Sequence, residues 1–93
     1  MTECKREDIE TYLPKNLRFI RESLDFTQKE MAEKLEIGES LYKKYELGKI
    51  EPKVREIIFF GCKLKCSIAN LIEINMEETF DSVQILKLHV NRR

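Results

Sequence analysis

Ninety-three residues are enough for one compact domain and too few for two. Seventeen basic and seventeen acidic side chains cancel within a charged fraction of 37%, which excludes steering toward nucleic acid by net charge alone. No apolar run approaches the length that spans a bilayer, and the charged N-terminus is unlike a signal peptide, so a cytoplasmic protein with no membrane partner is expected.

Charge is unevenly spread. Lys43, Lys44, Lys49, Lys53, Arg55, Lys63 and Lys65 face only Glu46, Glu51 and Glu56 over the same stretch, whereas Ala69 to Asp81 holds four acids and no base. This suits a domain with one cationic face, although a charge-laced solvated surface has the same pattern. Cys4, Cys62 and Cys66 do not frame a disulfide scaffold. Cys62 and Cys66 lack further metal-binding partners, since His89 lies far off, so reduced thiols used as small apolar residues are expected.

Residues 1–12 are polar and read as an arm. Pro14 suits the first turn of a helix, and Leu17, Ile20 and Leu24 mark one buried stripe from about Pro14 to Leu24. Thr27-Gln28-Lys29-Glu30 is a capping box, with Phe26 and Met31 spaced as a hydrophobic staple. Met31, Ala32 and Leu35 carry the buried side of this second helix, and Ile37 follows in the turn. Gly38 is an acceptable N-cap for a third helix to Leu47, stopped by Gly48, the residue best able to turn left-handed. After Lys49–Lys53, a fourth helix runs from Val54 to Leu64 with Val54, Ile57, Ile58, Gly61 and Leu64 inward, and Ser67 caps a fifth. The fold class expected is all-α, a compact five-helix domain over residues 13–74.

Residues 75–93 form an apolar C-terminal extension. Val83–Val90 mixes strand-like alternation (Leu86, Leu88, Val90) with helical spacing (Val83, Leu86, Val90), and its β-branched content tilts slightly toward a strand. Phe59 and Cys62 of the fourth helix stand where the family resemblance described below implies lysine or another polar residue, and an exposed phenylalanine beside a thiol invites a cover. Residues beyond Asn75 are therefore expected on the fourth and fifth helices, either contributing to a homodimer or folding back on their own domain.

Over Thr27–Gly48 the chain resembles the phage-repressor, Cro-like (Xre) helix-turn-helix family, through Thr27-Gln28, Ala32, Leu35, Ile37 and Tyr45-Glu46-Leu47-Gly48. The likeness continues through Pro52, Ile57, Ile58, Leu64, Ser67 and Leu71, so it covers about Leu13 to Ile74. It implies a DNA-binding transcriptional regulator whose helix 38–47 enters the major groove while the preceding helix lies across the phosphates. Glu39, Ser40, Lys43 and Lys44 would then read bases. Gln28, at a partly positive helix start, would contact phosphate, as would Lys49 and Lys53. Arg21 and Glu46 occupy positions that form a structural ion pair in the family, tying the first helix to the third.

The chain departs from the family's pattern at Glu36, where glycine is common, and at Glu39, which caps the helix or accepts from a cytosine amino group. Leu41 and Leu47 are apolar where many relatives are polar. Two functions remain open. One is a dimeric DNA-binding regulator on a palindromic operator. The other is a protein-interaction module of the same fold, either with its groove face turned to a partner or antitoxin-like with its partner on the C-terminal extension. No nucleophile–base pair, phosphate loop or metal cluster suggests an enzyme, a metal or a cofactor.

Overall fold

In the computed structural model, residues 12–79 and Ile85 are described, and every element among them is helical: α1 (Leu13–Ser23), α2 (Gln28–Lys34), α3 (Glu39–Leu47), α4 (Val54–Leu64), α5 (Ile68–Ile72) and α6 (Met76–Thr79). The all-α expectation holds, with α6 as a sixth helix beyond the five read from the sequence. Pro14 lies in the first turn of α1. Leu13, Leu17 and Ile20 of that helix, with Met31, Ala32, Leu35, Tyr42, Tyr45, Phe60, Leu64 and Leu71, form the buried core.

Helix ends follow one pattern. The chain leaves α1, α2, α3 and α4 through a left-handed residue, at Asp25, Glu36, Gly48 and Lys65 respectively. In each case the following N–H reaches back to a carbonyl five residues earlier: Phe26 to Arg21 (3.0 Å), Ile37 to Ala32 (3.0 Å), Lys49 to Lys44 (2.9 Å) and Cys66 to Gly61 (3.0 Å). These bonds satisfy carbonyls that a helix end leaves orphaned. Only Gly48 adopts this conformation without a steric cost. At Glu36 that cost is accompanied by an ion pair, Glu36 Oε2 to Lys63 Nζ at 2.9 Å, which ties the α2–α3 turn to α4.

α4 turns a different face inward from the one its sequence suggests. Phe60, Gly61 and Leu64 are buried and Ile57 is half-buried, whereas Val54 and Ile58 are exposed. The apolar run is nearly continuous around the helix, so two overlapping stripes compete, and the one that buries Phe60 wins because it removes more apolar surface from water. Gly61 is required where α4 meets its own exit turn: a Cβ there would stand 2.8 Å from the Cys66 carbonyl oxygen.

The C-terminal side also differs from expectation. α6 packs on α1 rather than on α4, and Met76 and Ile85 join the core. Ile85 is helical, and the rest of the 80–90 run lies outside the described residues. Phe59 and Cys62 stay exposed, so α6 does not cover them. Asn16, fully buried on α1, makes the junction. Its Nδ2 donates to the carbonyls of Leu71 (2.6 Å), Ile74 (2.7 Å) and Asn70 (3.2 Å), and its Oδ1 accepts from Met76 N–H at 3.0 Å. One amide thus closes the end of α5 and the start of α6 against α1.

Candidate nucleic-acid interface

α2 and α3 form one unit because each end is locally determined. Thr27 Oγ1 accepts from Glu30 N–H at 3.1 Å, and Glu30 Oε1 accepts from Thr27 N–H at 2.8 Å, the reciprocal pair of a capping box. The small Ala32 is buried where α2 meets the core, and Ile37 packs against that core from the turn. Gly38, extended, starts α3, and Gly48 (φ +77°) ends it, with Gly48 N–H bonded to Tyr45 O at 3.1 Å.

The inner face of α3 is bolted to α1 through Glu46. Arg21 grips its carboxylate in a two-pronged fork, Nε to Oε2 at 2.9 Å and Nη2 to Oε1 at 3.0 Å. The Tyr42 hydroxyl, one turn earlier on α3, donates to Oε2, and Gln28 Nε2 donates to Oε1 at 3.2 Å. A third prong of the guanidinium, Nη1, reaches the Phe26 carbonyl at 3.1 Å. Burial opposes the Glu46 charge, but the hydrogen bonds from Arg21 and Tyr42 outweigh it and hold the carboxyl below its usual range. Burial, then the bond to Glu46, pushes the Tyr42 phenol well above its ordinary value. The group is a single charged network in which α1, α2 and α3 share one carboxylate.

The sequence reasoning reached Arg21 and Glu46 through the family resemblance but missed Tyr42. Its four-residue spacing from Glu46 puts both on one helical face and is the signal that could have found it. Gln28 makes a contact that the sequence did not suggest. Its side chain is half-buried and turned onto Glu46, which leaves its second amide N–H for any outward contact.

The opposite face of α3 points to solvent. Glu39, Ser40, Lys43 and Lys44 are all exposed, and so are Lys49 and Lys53 in the following linker. Glu39 Oε2 and Lys43 Nζ stand 3.3 Å apart, one turn separating them on the surface of α3. Leu41 packs against the core, whereas Leu47 is 68% exposed at the end of the helix. The linker is anchored on its far side, where the Glu56 carboxylate accepts from Lys53 N–H at 3.0 Å and from the Tyr45 hydroxyl at 3.1 Å. An outward row of lysine, serine and carboxylate side chains on a helix braced from behind can hydrogen-bond base edges, while the flanking lysines can pair with phosphates.

A family model described as a helix-turn-helix domain matches residues 15–85, which takes in all six helices except the first two residues of α1. Comparison with curated proteins and with solved structures returned no match. With α2 capped at Thr27 and packed on a braced α3, and with a match over most of the chain, this protein belongs to the helix-turn-helix domain family.

Proposed function

We propose that the protein is a sequence-specific DNA-binding transcriptional regulator, with α3 as the recognition helix in the major groove. The observation that carries this reading is the division of α3 into two faces. Tyr42 and Glu46 are locked to α1, and Ser40, Lys43 and Lys44 are left exposed on a helix whose orientation cannot drift. A rigid presentation matters because base readout needs side chains held to within fractions of an ångström. Lys43 and Lys44 are the candidates for guanine O6 and N7, Ser40 is a less selective reader, and Glu39 selects cytosine or orients Lys43. Lys49, Lys53 and the free N–H of Gln28 contact phosphates. Balanced net charge places the affinity in this local set, so binding falls steeply with salt. The regulator acts in the cytoplasm as a homodimer on a palindrome with half-sites about one helical turn apart. No helix among the described residues is long and apolar enough to cross a membrane.

A second reading rests on Leu47, Val54, Ile58 and Phe59, which expose apolar surface beside and beyond α3. A protein-interaction module of the same fold would use that surface, with α3 turned toward a protein. Selection from a random duplex pool followed by a salt series separates the two. An enriched palindrome with a steep salt slope supports the regulator; no enrichment and a flat slope supports the interaction module.

A further inference from the structure

α3 opens on an acid placed differently from those that open α2 and α4. In α2 and α4 the acid stands three residues after the N-cap and reaches back to it. Glu30 accepts from Thr27 N–H at 2.8 Å, and Glu56 accepts from Lys53 N–H at 3.0 Å. In α3 the acid, Glu39, comes one residue after the N-cap Gly38. Its carboxylate is turned along the helix onto Lys43, one turn later, with Oε2 3.3 Å from Nζ. Both side chains are about half exposed, so this ion pair adds little to stability. It lies on the exposed part of a helix whose orientation is fixed from behind by the Arg21–Glu46 fork.

We propose that Glu39 and Lys43 act together as one reader of a single C·G base pair. The carboxylate accepts from the cytosine amino group, and the ammonium donates to guanine O6 and N7. Within that base pair the cytosine amino group and guanine O6 are hydrogen-bonded to each other, so they stand roughly 2.9 Å apart. The two charges, 3.3 Å apart, present the complementary acceptor and donor at nearly the same spacing. Inverting the base pair sets the carboxylate against guanine O6 and N7 and the ammonium against an amino group. The two charges therefore read polarity as well as composition. An A·T pair also offers an amino group beside a carbonyl, but adenine N7, an acceptor, flanks that amino group and repels the carboxylate. Thymine gives the ammonium one acceptor where guanine gives two. On other sequences the carboxylate meets phosphate charge and no suitable donor, which counts against every site but the chosen one. The inference rests on the DNA-binding reading and adds to it the base pair that the start of α3 selects.

The test is selection from a random duplex pool with the full chain, a charge-swapped variant (Glu39→Lys with Lys43→Glu) and the single variant Glu39→Gln. The swap keeps the net charge of the parent. The parent's selected half-site is expected to hold one C·G pair, preferred about tenfold or more over its inverted form in direct competition. The swap should invert that preference at the same position. Glu39→Gln should bring the two forms within about threefold of each other, with the parent's salt slope retained because no phosphate contact is lost. Circular dichroism checks that the swap is folded; where it is not, Glu39→Gln decides alone. A folded swap that does not invert the preference, or a Glu39→Gln protein that keeps it, overturns the paired reading and leaves DNA binding standing. A parent that selects no sequence overturns the DNA-binding reading and the inference with it.

Discussion

The two ends of α1 are held by polar side chains that solve different problems. Near its N-terminus Asn16, uncharged and fully buried, bonds four backbone groups of α5, α6 and the loop between them. Near its C-terminus Arg21, partly exposed, enters a charged network of three other side chains centred on Glu46. Asn16 bonds backbone groups of three segments at once, so its loss takes a partner from all of them. Arg21 and Glu46 are the two charges of their network, so removing both leaves no unpaired charge behind, only the neutral Tyr42 and Gln28 side chains. The first arrangement is needed for the fold to close. The second fixes the angle of a helix, which is a requirement of function more than of folding.

The largest effect should therefore come from Asn16→Ala. Taking this partner from three carbonyls and an N–H, two of these bonds buried and two half-buried, is expected to cost about 3 kcal/mol, seen as a fall on the order of 15 °C in thermal unfolding followed by circular dichroism. A loss under about 1 kcal/mol would break the comparison. Glu46→Leu is expected to cost about 2 kcal/mol, because the Arg21 guanidinium is left largely buried without its carboxylate. Adding Arg21→Met should recover half or more of that loss, a coupling read from a double-mutant cycle in urea. No such rescue exists for Asn16.

Acidity sharpens the contrast at the charged end. The Glu46 carboxyl titrates below its unfolded value, near 4.3, so its contribution is complete above about pH 5 and is lost as pH falls through the lower folded value. The Tyr42 phenol is raised, so its contribution is complete below about pH 10 and is lost above it. Burial pushes the Cys66 thiol up to about 11, which removes stability between its unfolded value of roughly 8.5 and 11. Cys66→Ala should flatten that part of the alkaline limb in unfolding experiments across pH and leave the acid limb as it was.

The smallest effects belong to the helix ends. Lys65→Gly relieves a left-handed residue (φ +59°) and is expected to gain up to about 0.5 kcal/mol after the added chain entropy of glycine. Glu36→Gly gives the same relief but loses the exposed pair with Lys63, so its stability should stay within about 0.5 kcal/mol of the parent. Chemical denaturation resolves both against the parent.

Much of the reading end was legible because its signals are local. Thr27 and Glu30 are three apart, Gly48 closes a helix with a left-handed turn, and Ala32 and Ile37 sit at fixed steps between them. The Arg21–Glu46 contact spans 25 residues and could be anticipated only from the family resemblance. Asn16 was not legible at all. It interrupts an apolar stripe as one polar residue, and its partners are backbone atoms 54 to 60 positions away. α6, four residues long, is too short for any periodic pattern. The inward face of α4 was misread because side-chain volume, not spacing, chose between its stripes.

The division of labour along α1 is tested most directly by mapping amide shifts on titrating the protein with its selected duplex. The account predicts the largest perturbations at residues 39–44 and 48–53, with little change over α5 and α6. Perturbations centred on the outer face of α4 around Ile58, with α3 unmoved, would contradict it.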